Sequence, residues 1–194
     1  MIVTTQMISE DLGSRYSNPK CKLGRMVKEG KYTPIIRGLY ETDPTTPGYL
    51  LSGIYSPSYL SFEYALSRYG LIPETVFEYT SATCGKNRTK RYETLFGTYS
   101  YRDVPKKAFR FAIELRTEGE YSYWIASPEK ALCDELYSIG PIPKNESTEE
   151  FLFDDLRIDK GVLGTLDKGM IKELSSLYRS HNVSRLNDYL EGDE

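Results

Sequence analysis

The side chains that could do chemistry in this sequence are mostly cations, and they are unevenly placed. Arg15, Lys20, Lys22, Arg25, Lys28, Lys31 and Arg37 fall between residues 15 and 37, where Glu29 is the single acid. The stretch after residue 145 is instead dominated by Glu and Asp, so the net charge of −3 averages a basic end with an acidic one. Cations clustered on one helix suit the phosphate backbone of a nucleic acid, and an arginine among small residues can also read base edges.

Catalytic chemistry finds little support. His181 is the only histidine and lies in the acidic region with no identifiable Ser or Cys nucleophile around it, so it reads as a surface residue. Ser127-Pro128-Glu129-Lys130 resembles an acid–base pair at first sight, yet capping and the helix dipole account for serine, proline and glutamate at a helix start. There is no phosphate-binding glycine loop, dinucleotide motif or HExxH zinc motif. Cys21, Cys84 and Cys133 are far apart and odd in number, which suggests free thiols rather than a zinc site or a disulfide framework. The expectation is a non-enzyme with no catalytic residues, no metal and no cofactor.

The elements that must position the cations can be read from capping and periodicity. Thr4 to Gly13 reads as a short helix with a threonine cap and Ile8 and Leu12 on one face. Asn18 and Pro19 start a second helix and Gly30 stops it. Its apolar stripe of Leu23, Met26 and Val27 turns Cys21, Gly24, Arg25 and Lys28 outward and leaves Lys20 and Lys22 on the flanks. Lys31 to Tyr40 then reads as a hairpin around Arg37-Gly38. Helix, turn, helix, hairpin is the order of a winged helix-turn-helix. In that arrangement Arg25 faces guanine, Lys20, Lys22, Lys28 and Lys31 face phosphates, and Arg37 lies at the wing tip. On composition alone these lysines could equally solvate a surface helix, and Arg37-Gly38 could be a plain turn.

After Pro44, Pro47 and Gly48, a linking helix to Ser56 is expected to dock through Tyr49, Leu50, Leu51 and Ile54. Ser56 to Gly70 reads as a helix with Phe62, Ala65, Leu66 and Tyr69 buried. Residues 75–126 have β texture in four runs, 75–83, 92–104, 109–115 and 121–125, suggesting a small, mostly antiparallel sheet. Lys86, Arg88, Lys90 and Arg91 read as a solvated loop; with Lys106, Lys107 and Arg110 they could also extend a nucleic-acid surface or meet the acidic tail, and Tyr92, Phe96, Tyr99 and Tyr101 read as filling and edging the sheet. A helix follows from Ser127 through Leu136, and apolar repeats at Phe151/Leu152/Leu156, Ile171/Leu174/Tyr178 and Val183/Leu186/Leu190 mark further helices that need a partner surface. The fold class expected is α+β, with a winged helix-turn-helix over residues 1–45, lacking a first core helix because only Met1 to Thr4 precede it, and an α+β domain over 48–194. No apolar run is long enough to span a bilayer and no secretory signal is present, so the expected location is the cytoplasm.

Three strings in this order resemble the AbiEi antitoxin family: Leu23-Gly24-Arg25-Met26-Val27-Lys28-Glu29-Gly30-Lys31 leading to Ile36-Arg37-Gly38-Leu39-Tyr40; Ser58-Tyr59-Leu60-Ser61-Phe62-Glu63-Tyr64-Ala65-Leu66 with Tyr69-Gly70-Leu71-Ile72; and Ile125-Ala126-Ser127-Pro128-Glu129-Lys130-Ala131-Leu132-Cys133-Asp134. The resemblance implies a transcriptional repressor that binds double-stranded DNA at its own promoter. It further implies a type IV toxin–antitoxin system, of the kind tied to phage defence, in which the protein antagonises a nucleotidyltransferase-like toxin without a stable complex. A homodimer is compatible with it. Two other readings stay open on the residues: a winged-helix regulator without a toxin, and a protein-interaction module with a vestigial DNA-binding part.

Overall fold

The computed structural model describes residues 1–13, 15–143 and 145–192. The last two residues of the acidic stretch lie outside them. The chain is mixed α/β, built on a small antiparallel sheet of three strands and a larger mixed sheet of six.

The smaller sheet belongs to the N-terminal unit. Strand β1 (Ile2–Thr4) leads into α1 (Thr5–Gly13), α2 (Pro19–Lys28), and a hairpin of β2 (Thr33–Ile36) and β3 (Leu39–Glu41), with β3 between the other two. The local signals act as the residue types dictate. Thr4 Oγ1 accepts from the Met7 amide at 3.1 Å, and Asn18 Oδ1 accepts from the Cys21 amide at 3.1 Å. Gly30 and Gly38 hold φ of +74° and +88°, a left-handed backbone that glycine adopts without strain. Val3, Ile8, Leu12 and Leu23 form a small core of their own.

A 3-10 helix over Gly48–Tyr55 joins this unit to the rest. Leu50 and Leu51 are its buried apolar side chains, while Tyr49 and Ile54 are half-buried, so docking is narrower than the sequence suggests. It lies on the tyrosine-rich face of the large sheet, where Tyr99 and Tyr101 donate to the carbonyls of Gly48 and Ser52 at 2.9 and 2.8 Å. A Cβ on Gly48 would collide with the Phe96 carbonyl and the Tyr79 ring, so the close approach requires glycine. Ile35 of the hairpin joins Leu51, Phe96, Tyr99 and Tyr101 in one buried cluster, and Tyr121 donates to the buried Glu41 carboxylate at 2.9 Å.

The six strands run in the order β6 (Lys90–Thr94), β7 (Gly97–Asp103), β5 (Tyr79–Thr83), β4 (Tyr59–Leu60), β9 (Tyr121–Ala126), β8 (Ile113–Glu118). Most of its pairings are antiparallel, as expected, but the sheet is larger and mixed: β4·β5, β6·β7 and β8·β9 pair antiparallel, while β4·β9 and β5·β7 pair parallel. Two further differences are local. Residues 92–104 are not one strand, because a turn at Leu95-Phe96 folds β6 back onto β7, with Gly97 at φ +122°. Residues 56–70 are not one helix either: Tyr59 and Leu60 enter the sheet and only Phe62–Arg68 is helical (α3).

Helix α4 (Pro128–Ser138) begins where β9 ends, capped by Ser127, whose Oγ accepts from the Lys130 amide at 3.2 Å. The C-terminal segments α5 (Thr148–Glu150), a π-helical turn at Phe151–Asp155, α6 (Lys160–Leu163), α7 (Lys168–Tyr178) and α8 (His181–Glu191) settle the open question about their partner surface. Leu152, Ile171, Leu174, Val183 and Leu186 are fully buried in the same core as Leu132 and Leu136 of α4 and Leu60 and Ile125 of the sheet. Among the described residues no helix is long and apolar enough to cross a membrane.

Candidate nucleic-acid interface

Helix α2 carries Lys20, Lys22, Arg25 and Lys28 and no acid. Its rotation is fixed by Leu23, buried against Ile8 and Leu12, so the side chains on the other side must face solvent. Cys21, Gly24, Arg25 and Lys28 are exposed, as the periodicity predicts. Lys20, Gly24 and Lys28 line one wall of a shallow cleft of about 500 Å3 whose other wall is Pro34 and Tyr40 of the hairpin. Gly24 has open space around it, so nothing but its own backbone stands on that stretch of helix surface.

The six predicted residues do not form one patch. Lys22 turns to the far flank, its amine 5.1 Å from the centre of the Tyr16 ring. Lys31 pairs with Glu29 at 3.5 Å on an exposed surface, where such a pair contributes little and can be given up. Arg37 is exposed in the hairpin turn, and that turn is tied down, because the Thr5 amide donates to the Gly38 carbonyl at 2.9 Å. Among the described residues none of Lys20, Lys22, Arg25, Lys28 and Arg37 makes an ion pair.

In the second basic region Lys86, Arg88, Lys90 and Arg91 are exposed or half-buried, in keeping with the solvated loop expected, and each has a partner there; Lys90 and Arg91 belong to β6. Lys86 stands over the Tyr55 ring at 4.9 Å and Arg88 donates to the Tyr55 hydroxyl at 3.2 Å. Lys90 stands over Tyr92 at 5.2 Å, and Arg91 pairs with Glu78 and Glu93. Phe96, Tyr99 and Tyr101 are buried and fill the sheet as expected.

A polar cluster that sequence reasoning missed lies in the core. Lys130 and Asp134, one turn apart on α4, are both fully buried and pair at 2.8 Å. Asp134 also accepts from Ser61 at 2.6 Å, from Tyr59 at 3.0 Å and from Tyr178, and Lys130 donates to the same Tyr178 hydroxyl. Burial, reinforced by the Asp134 charge, pushes the Tyr59 and Tyr178 phenols well above their usual range, so both stay protonated and act as donors. Ser61 stands at the N-cap of α3 but makes no capping bond, because its hydroxyl goes to Asp134. The cluster ties β4, the start of α3, α4 and α7 to one carboxylate. Solvent is excluded and every partner is internal, so it positions elements rather than meeting a ligand. The available signal was Lys130 and Asp134 at i, i+4 within the third string above, which reads as an ordinary surface pair until burial is known.

His181 is exposed at the first position of α8, as expected. No family model matches the chain. No curated protein matches it. Among solved structures, the Rv2827c protein from Mycobacterium tuberculosis superposes with a TM-score of 0.58 at 13% identity, over 98% of this chain and 71% of that one. At that identity the likeness establishes a shared fold.

Proposed function

We propose that this chain is a DNA-binding antitoxin of the AbiEi type, which represses its own operon from the cytoplasm and counteracts a nucleotidyltransferase-like toxin without holding it in a stable complex. The observation that carries the reading is α2: four cations, an exposed glycine and no acid on a helix whose rotation is locked by Leu23, followed by a hairpin. In this reading residues 1–45 are a winged helix-turn-helix. Arg25 donates to a guanine edge in the major groove, where Gly24 lets the backbone approach. Lys20 and Lys28 hold phosphates on the hairpin side, and Lys22 and Lys31 join them by leaving Tyr16 and Glu29. Arg37 reaches backbone or minor groove from the turn. The antitoxin part is supported by the three strings that resemble the family, two of which, around Ser58–Leu66 and Ile125–Asp134, supply the buried Tyr59, Ser61, Lys130 and Asp134.

The test is a mobility shift of the full chain on its own upstream DNA against scrambled competitor, across a salt series. Specific binding that weakens steeply with salt is the expected result. Weak binding indifferent to sequence would favour the interaction-module reading, for which the hairpin turn bound to the start of α1 is the supporting observation. Rescue of growth from the neighbouring toxin separates an antitoxin from a regulator without one.

A further inference from the structure

A cleft of about 390 Å3 opens on the α/β body, away from the N-terminal helices, between the Ser56–Ser58 loop, the loop carrying Phe109 and Arg110, and the edge hairpin of β8 and β9. That size falls within the roughly 300–1,000 Å3 of small-ligand pockets. Its chemistry is asymmetric. Its inner end is apolar: Tyr59 and Phe109 are almost wholly buried, with ring centres 5.2 Å apart and the Tyr59 hydroxyl committed to Asp134, so they back the cleft and leave Trp124 as the ring it exposes. Trp124 forms a wall and is 44% exposed, on the same sheet face as Leu115, its cross-strand partner. An indole exposed at the mouth of a cleft gives a flat face on which another ring can stack.

The rim is cationic. Arg110 lines the cleft and, among the described residues, makes no ion pair. Lys86 does not line the cleft but stands next to it, its amine held on the Ser56 carbonyl at 3.2 Å and over the Tyr55 ring. Ser56 and Ser58 add hydroxyls, and among the described residues no carboxylate lines the cleft. We propose that this is a binding site for a planar aromatic ring carrying an anionic group, the ring stacked on Trp124 and the anion held by Arg110. It is independent of the DNA-binding reading, which rests on other residues. The shared chemistry has two sources, a nucleotide and an aromatic acid.

Trp124 is the only tryptophan in the chain, so its emission reports on this cleft alone. The full-length protein is titrated, with excitation selective for tryptophan, with AMP, phenyl phosphate, benzoate, adenosine and inorganic phosphate. A saturable change in Trp124 emission with at least one aromatic anion is expected, with binding at least about tenfold weaker for adenosine and for the Arg110→Ala variant, as loss of a charged hydrogen bond requires. Arg110 is exposed, and circular dichroism together with unchanged ligand-free emission verifies that the variant is folded. AMP binding without benzoate or phenyl phosphate assigns the site to nucleotides, and the converse to aromatic acids. Absence of saturation with every aromatic anion, equal binding of adenosine, or wild-type affinity in Arg110→Ala overturns the proposal.

Discussion

Lys130 and Asp134 form a 2.8 Å ion pair from which solvent is wholly excluded, and the carboxylate of that pair accepts hydrogen bonds from three other elements of the fold. Removing one member leaves the other charged, buried and unmatched. Lys130→Met or Asp134→Leu is therefore expected to cost about 3–5 kcal/mol in urea denaturation, and the double variant less than the sum of the two. Additive losses would mean that the two groups stabilise the core separately.

Arg25→Ala with Lys28→Ala is expected to abolish promoter binding with the fold intact, since both side chains are exposed on α2 and pair with nothing among the described residues. The single Arg25 change should cost roughly 1–3 kcal/mol and relax discrimination at one base pair. The single Lys28 change should weaken all sequences alike and reduce the salt slope by about 0.9. Unchanged affinity in the double variant would remove α2 as the recognition helix.

The three thiols should separate by accessibility. Cys21 is exposed on α2, Cys84 is half-buried and Cys133 is buried, with its thiol pushed well above the usual range by that burial. Maleimide should label Cys21 first and reach Cys133 only after unfolding. Promoter DNA should slow the Cys21 reaction while scrambled DNA does not; equal rates in the two would place DNA elsewhere on the protein.

Glu135 gives the protein a pH dependence of defined sign. Burial, with the Glu63 charge beside it, pushes its carboxyl from 4.5 up to about 7 against the pull of Arg102, and its Oε2 is buried without a hydrogen bond. An acid that holds its proton more tightly when folded stabilises the fold fully below about pH 4.5, and that contribution is lost as pH rises through about 7. The melting temperature should fall by a few degrees between about pH 5 and pH 8, a chain of this size losing about 2–4 °C per kcal/mol. Glu135→Gln should flatten the profile; an equally steep fall in that variant would assign the effect to another group.

These outcomes turn on residues whose roles were unequally legible in the sequence. The caps at Thr4, Asn18 and Ser127, the stop at Gly30, the outward face of Arg25 and Lys28, and the hairpin turn at Gly38 all follow from local rules, because a cap or a left-handed glycine acts within a turn of itself. What stayed hidden depends on distant partners. Tyr59 and Leu60 sit at the head of a convincing helical stripe, and only their pairing with Ala82, Ser81 and Ile125 makes them a strand. Parallel pairing of β5 with β7 leaves no local trace for the same reason. Lys130 and Asp134 look like a solvated i, i+4 pair until Tyr178, far along the chain, closes over them. Lys22 and Lys31 were legible as cations, but their present partners Tyr16 and Glu29 were not.

Strand β4 is two residues long and stands in the middle of the sheet, between β5 and β9. Mechanically the sheet has a neck there: a pull that separates β8 from β6 meets only the short ladder through Tyr59, Leu60 and the Ser61 amide. The side chains of Tyr59 and Ser61 are riveted to Asp134, so the load passes from the strand into a helix. One carboxylate outside the sheet thus reinforces its narrowest ladder.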